Sequence, residues 1–212
     1  MDGSAVFQNR FDAGERLARQ LQSYRNDPNT LILALPRGGV PVAYAIAKAL
    51  QLPLDVLVVR KLGAPFQEEL AMGAVASGDV IFFNDDLIAD LDVSEAEITR
   101  VIDAQTAELS RREKKYRQDR AFPIVREKNI ILVDDGIATG ATMHAAIIAL
   151  RKLLAKKIIM AIPVAPRPTL THLSTLVDAV VCLHPADVFY GVGAFYEDFS
   201  QTTDEEVIAL LK

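Results

Sequence analysis

The chain is poor in the residues that usually announce a metal site or a disulfide framework: 212 residues contain one cysteine, three histidines and no tryptophan. Cys182 alone cannot close an intramolecular disulfide or build a cysteine metal cluster, and its place in the apolar run 179–183 suits core packing. His144, His172 and His184 are too scattered for a metal-binding pattern. Excess basic charge is also missing. Lys and Arg number 23 against 28 Asp and Glu, a net charge of −5, so a general nucleic-acid surface is not expected, although a local basic cleft is still open. No apolar run approaches the roughly 18 residues of a membrane span, and the first ten residues lack a basic stretch followed by an apolar one. The expectation is a cytoplasmic protein with no membrane partner, acting on a small ligand.

Half of the residues are hydrophobic and 24% are charged. That balance over this length predicts one α/β domain covering 1–212, with no second full domain. Strand-like apolar runs fall at 30–35, 54–59, 80–83, 129–133, 157–164 and 178–183, and helix-like stretches separate most of them. Such alternation predicts a mostly parallel central sheet flanked by helices on both faces, with ligands bound beyond the carboxyl ends of the strands.

The most informative junction lies at one of those ends. After the apolar run 130–133 come Asp134 and Asp135, then Gly136-Ile137-Ala138-Thr139-Gly140-Ala141-Thr142, and a helix pattern from 141 to 154. The glycines free loop amides to point at an anion beside a positive helix N-terminus, and Thr139 and Thr142 add hydroxyl donors. Two adjacent carboxylates add acceptors for sugar hydroxyls. A nucleoside-triphosphatase loop would carry lysine where Ala141 stands. An ordinary strand-to-helix turn with a capping aspartate explains one carboxylate and not both, because neighbouring strand residues point to opposite faces.

A second loop, Pro36-Arg37-Gly38-Gly39-Val40-Pro41, follows the first strand. Its glycines allow close backbone approach, and Arg37 is a forked cation suited to phosphate oxygens, though a solvent-facing Arg37 on a plain connection fits equally. Arg60-Lys61 follows the strand 54–59 and places two cations at a strand end; they could instead be solvated charges. Behind them, the polar, glycine-bracketed stretch 63–73 fits a mobile cover. Residues 94–118 predict one long helix, opened by a Ser94/Glu97 capping box, with a narrow apolar stripe that suits a solvated flank or a subunit contact. Five aromatics crowd into 189–199, where they could stack a planar base or pack a small lobe.

The run Val-Asp-Asp-Gly-Ile-Ala-Thr-Gly-Ala-Thr at 133–142 resembles the phosphoribosyl-pyrophosphate (PRPP) signature of type I phosphoribosyltransferases. The resemblance implies that family's fold, with a core at about 30–183, a helical insertion at 94–118, and a hood lobe from 184–200 plus N-terminal residues. It implies that the donor's 5-phosphate is bound by Gly136, Ile137, Ala138, Thr139, Gly140, Ala141 and Thr142, and that Asp134 and Asp135 accept bonds from the ribose hydroxyls. Pyrophosphate would be held by Pro36, Arg37, Gly38, Gly39, Arg60 and Lys61, often with a cis peptide bond in the first of those loops. Catalysis would rest on Asp134, Asp135, Arg37 and Lys61. The implied cofactor is Mg²⁺ carried by PRPP, reaching Asp134 and Asp135 through water rather than by direct ligation. The implied partners are PRPP and a small base or nucleotide, in a homo-oligomer such as a dimer, with Phe189 and Tyr190 stacking the base.

The resemblance is strong at 33–41 and 130–142 and does not extend to the acceptor. Purine-salvage members carry a Lys-Arg pair where this chain has Val164-Ala165-Pro166-Arg167, and an aspartate where it has Phe195. The expected function is therefore transfer of a phosphoribosyl group from PRPP to a nitrogenous base, acceptor unassigned, with release of pyrophosphate. The alternative is a regulatory or binding protein that senses PRPP or a nucleotide on the same fold, for which the cluster 111–117 is the one candidate nucleic-acid face.

Overall fold

A computed structural model describes residues 6–91, 93–118 and 120–212; residues 1–5, part of the N-terminal portion expected in the hood, lie outside it. In chain order the principal elements are α1 (Arg10–Gln20), β1 (Thr30–Ala34), α2 (Gly39–Leu50), β2 (Leu54–Val56), β3 (Val59–Ala64), β4 (Gln67–Ala76), β5 (Val80–Phe83), α3 (Asp85–Leu91), α4 (Glu95–Arg117), β6 (Asn129–Val133), α5 (Ala141–Lys152), β7 (Lys157–Pro166), α6 (Arg167–Ser174), β8 (Ala179–Ala186) and α7 (Asp204–Leu210). Among the described residues, five parallel strands pair in the order β2-β1-β6-β7-β8, and β3-β4-β5 form a separate antiparallel sheet.

Strand alternation explains why the central strands read as continuous apolar runs. Ile32, Ile131 and Ile159 join a core with Leu17 of α1, Ile46 of α2 and Val207 of α7. Their neighbours Leu33, Leu132 and Met160 join the opposite core with Met143 and Leu150 of α5 and Leu173 of α6. Both faces are covered, so a polar residue inside these strands would be buried on either side. The outcome is the doubly covered α/β sheet that the alternation predicts. Among the described residues, no helix is long and apolar enough to cross a membrane.

One expectation fails at 54–59. The run 54–59 is not one strand: β2 ends at Val56, and Val58 is bonded by Ser77 instead, whose Oγ accepts the Val58 N–H at 2.9 Å while its N–H donates to the Val58 carbonyl at 2.9 Å. That exchange turns the chain out of the parallel sheet and starts the antiparallel one. The stretch read as a mobile cover consequently forms the β3–β4 hairpin, closed where Ala64 pairs with Gln67.

The long helix α4 has its Ser94/Glu97 capping box in place and buries nothing fully before Leu109. It packs along β3, β4 and α7. Its C-terminal turn is anchored by Arg117, whose side chain is 3% exposed. Arg117 Nε donates to Asp55 Oδ1 at 2.8 Å and Nη1 to Glu113 Oε1 at 2.6 Å, while Nη2 donates to the Val56 carbonyl and its guanidinium lies over the Phe122 ring. A buried pair of this kind is not a net source of stability against an apolar equivalent, and with Asp55 removed Arg117 would keep Glu113 but lose the bond at Nε. An Asp55→Ala variant should therefore lose about 1–3 kcal/mol of unfolding free energy in a urea titration; a loss below about 0.5 kcal/mol would show that Nε finds another partner.

Candidate functional site

The site is built where β1 and β6 end side by side. The Leu35 N–H donates to the Val133 carbonyl at 2.9 Å, so the loops after these two strands leave the sheet together. A Cβ on Gly38 would lie 2.0 Å from Asp135 Oδ2, and one on Gly39 would lie 2.8 Å from the Val133 carbonyl and 3.0 Å from Asp134 Cα. Gly38 has an ordinary helical backbone, φ −60° and ψ −32°. Closeness, not conformation, demands glycine there. The sequence suggested that these glycines admit a ligand; what they admit in this structure is the neighbouring acidic loop. The Pro36–Arg37 peptide bond is cis, within the group of bonds where the resemblance placed one.

The two adjacent carboxylates have different surroundings. Asp134 is partly buried and its Oδ1 accepts the Asp135 N–H at 2.8 Å. Burial, and then the charge of Asp135, push its carboxyl well above the usual range. Asp135 instead has a counter-charge: Arg10 Nε lies 2.8 Å from Oδ2. Arg10 Nη1 donates to the Ser200 carbonyl at 2.7 Å, and the guanidinium sits 3.9 Å over the Phe199 ring. The Tyr196 hydroxyl donates to the Asp135 carbonyl at 2.6 Å. Burial and then Asp135 raise the pKa of that hydroxyl. Sequence reasoning missed Arg10, which lies 125 residues from Asp135 and has no motif around it.

The loop 136–142 feeds α5 through Gly140, whose φ of +83° is left-handed and favours glycine. The first-turn amides of α5 have no carbonyl one turn back; the Ala141 N–H donates to Thr139 Oγ1 at 3.5 Å, and Ala138, Thr139, Ala141 and Thr142 are exposed. Ile137 departs from expectation: its side chain is buried and its N–H donates to the Val164 carbonyl at 2.9 Å, so that amide is not available to an anion. Gly136 is buried as well, under Val192 and Val164.

A cleft of about 560 Å³ opens between the β3–β4–β5 sheet and α5, with Lys61, Thr142, His144 and Asn84 among its lining. Lys61 therefore shares a cavity with the end of the acidic loop. Arg60 does not. It lies inside β3 rather than at a strand end, so alternation turns it to the other face, where its Nε donates to Gln105 of α4 at 3.0 Å. Arg60 is removed from the set expected at the anion site.

The phosphoribosyl transferase domain family profile matches residues 3–200. The chain belongs to that family. Over 206 residues it is 43% identical to proteins of two Mycobacterium tuberculosis strains, CDC 1551 and H37Rv, that are named provisionally as phosphoribosyl transferases. The match covers 97% of this chain and 46% of each relative, so the chain spans about half the length of the curated relatives it matches. A crystal structure of the Thermus thermophilus protein TT1426 is 36% identical with a TM-score of 0.86, covering 97% of both chains.

The remaining expected site residues fall in two places. Arg37 turns to the C-terminal segment: its Nη1 lies 3.8 Å from Asp204 Oδ1, and the same carboxylate takes Lys115 Nζ at 2.5 Å and the Tyr116 hydroxyl at 2.7 Å. The segment 198–207 thus reaches the Arg37 loop through Asp204 and, by way of Arg10, the loop that carries Asp135. Phe189 and Tyr190, expected at the base, have different surroundings. Phe189 packs on Phe195, with ring centroids 5.7 Å apart at 25°, and Tyr190 is 91% exposed.

Two measurements follow from this geometry. Replacing Gly38 with alanine has no room without displacing the Asp135 carboxylate, and should cost about 1–3 kcal/mol in a melting experiment; a crystal structure of G38A with Asp135 unmoved would contradict the close contact. Asp204 is held below its ordinary 3.8 by Lys115, then by Tyr116. A depressed carboxylate contributes stability that is present above its unfolded value and lost as pH falls through the lower folded one. Unfolding free energies measured from about pH 6 to about pH 2 should therefore fall less steeply below pH 3.8 in Asp204→Asn than in the parent; parallel curves would show that Asp204 contributes nothing to the acid limb.

Proposed function

We propose that the protein transfers the phosphoribosyl group of PRPP to a nitrogenous base and releases pyrophosphate. The observation that carries this reading is the contact of Gly38 and Gly39 with Asp134 and Asp135, which makes the anion loop before α5 and the Arg37 loop flank one pair of carboxylates. That spacing suits a ribose with phosphate on one side and pyrophosphate on the other. The amides and hydroxyls of Ala138 to Thr142 hold the 5-phosphate, without the Ile137 amide. Asp135, with Asp134 beside it, accepts the ribose hydroxyls and favours positive charge developing at the anomeric carbon. Arg37, the amides of 36–39 and Lys61 receive the departing pyrophosphate.

The donor set also bears on the metal. Among the described residues, no three His, Cys, Asp or Glu side chains are grouped to hold an ion, and one oxygen of Asp135 is already paired with Arg10. These residues fit a hydrated Mg²⁺ brought on the donor's phosphates and contacted through water. Bound there, the ion would supply neutralisation of the leaving group's charge.

The regulatory alternative draws little from the structure. Arg111 and Arg112 both pair with Glu108, Lys115 pairs with Asp204 and Arg117 is buried, so the basic cluster is largely neutralised within the fold. The family's hood is read from 184–200 with the N-terminal segment, because Phe7 pairs with Tyr196 and both Val6 and Phe7 donate to the Phe195 carbonyl.

Pyrophosphate release from PRPP and Mg²⁺, measured alone and with a panel of purine, pyrimidine and other nitrogenous bases, tests the proposal. Release that depends on a base supports it. Tight PRPP binding with no release favours the sensor, and base-independent release a hydrolase. In the active combination, Asp135→Asn should lower turnover about 10²-fold with little change in melting temperature; unchanged kinetics would reject the carboxylate role.

A further inference from the structure

We infer that Arg10 is a positioning residue for the reaction, fixing the orientation of the Asp135 carboxylate that meets the ribose; this rests on the phosphoribosyl-transfer reading. Three contacts immobilise its guanidinium. Nε holds Asp135 Oδ2 at 2.8 Å, Nη1 holds the Ser200 carbonyl at 2.7 Å, and the Phe199 ring supports its plane at 3.9 Å. The side chains of Arg10 and Asp135 are 10% and 14% exposed, so little water competes for the pair.

The other side of the same oxygen is also defined. Gly38 approaches so closely that a single added carbon would stand 2.0 Å from Oδ2. With Oδ2 enclosed by Arg10 and the Gly38 backbone, and the Asp135 carbonyl fixed by Tyr196 at 2.6 Å, the carboxylate keeps one orientation and leaves Oδ1 for a ligand hydroxyl. A short carboxylate side chain rotates freely unless its oxygens are tied, and a displacement of about 1 Å at a reacting centre can cost about 10²-fold in rate. Asn9 caps α1, its side chain accepting the N–H groups of Phe11 and Asp12, so Arg10 projects from a fixed first turn.

Arg10 also joins segments far apart in sequence. It reaches from the first helix to Phe199 and Ser200 of the C-terminal segment and holds Asp135 as well. That gives Phe199 and Ser200 a function: they hold the arginine that holds the carboxylate.

A purely structural Arg10 would fasten α1 to the C-terminal segment and affect turnover regardless of what stands at 135. A positioning Arg10 acts only through Asp135. The discriminating experiment is a double-mutant cycle on the full chain, reading kcat and KM for PRPP with the best base, at a temperature where melting curves show every variant folded. Arg10→Gln should lower kcat about 10- to 100-fold with a smaller change in KM, and Arg10→Lys, which keeps charge but not the fork, should recover only part of it. In the Asp135→Asn background, Arg10→Gln should have almost no further effect. Phe199→Leu, a milder change that loosens the guanidinium, should show the same pattern at smaller size and serves if Arg10→Gln fails to fold.

Multiplicative losses in the double variant would overturn the inference while leaving phosphoribosyl transfer intact. A parent protein that neither binds PRPP nor releases pyrophosphate would overturn the underlying reading itself, and the positioning role with it.

Discussion

The site depends on one steric constraint: the main chain of the loop after β1 lies directly against the carboxylates of the loop after β6. Parallel pairing of β1 and β6, in register from Thr30 with Asn129 to Ala34 with Val133, brings the two strand ends to the same level. Only a loop without side chains at 38 and 39 can then close the gap. The consequence is that two glycine loops share one acidic wall. The geometry of the site is set here by backbone proximity before any side chain acts.

Around that contact the charges are distributed unevenly. Two neighbouring carboxylates in a partly buried site repel, and a protein can answer by neutralising one or by adding a cation. This chain supplies a cation at Asp135 and opposes ionisation at Asp134. Asp134, with burial and its neighbour's charge both opposing ionisation, has its carboxyl raised well above the usual range; Asp135 has Arg10 at 2.8 Å. A single polar junction thereby holds groups of different character one residue apart, which a symmetric pair of exposed aspartates would not.

The sheet and the glycine loops at its strand ends are legible in the sequence because each rests on local rules. Continuous apolar runs at 30–35, 129–133 and 157–164 read as strands covered on both faces, and Gly136 and Gly140 before a helix pattern read as a strand-to-helix loop. Residues 54–76 escape such a reading because what redirects the chain is Ser77 answering Val58, a contact with no local signature. Arg60 fails for a related reason: without knowing where β3 begins, alternation cannot say which of Arg60 and Lys61 faces the cleft. Arg10 and Asp204 are invisible as functional residues because their partners lie 125 residues away in one case and 88 or more in the other, reached only through the fold. The aromatics at 189–199 leave two uses open in the sequence, since ring packing and base stacking leave the same composition.

The C-terminal segment completes the argument about the second loop. Asp204 accepts Lys115 at 2.5 Å and Tyr116 at 2.7 Å, whereas Arg37 stands at 3.8 Å, beyond hydrogen-bond length. Lys115 and Tyr116 therefore satisfy the carboxylate on their own, and Arg37 is its most weakly held neighbour. A guanidinium with long reach, over one-third exposed, can turn to an anion on its own loop at small cost, since exposed pairs contribute only about 0–1 kcal/mol. Lys115 could not do the same without unpairing Asp204. The long helix and the C-terminal helix thus hold a carboxylate beside Arg37 that is already balanced by Lys115 and Tyr116, and it orients this cation without binding it tightly.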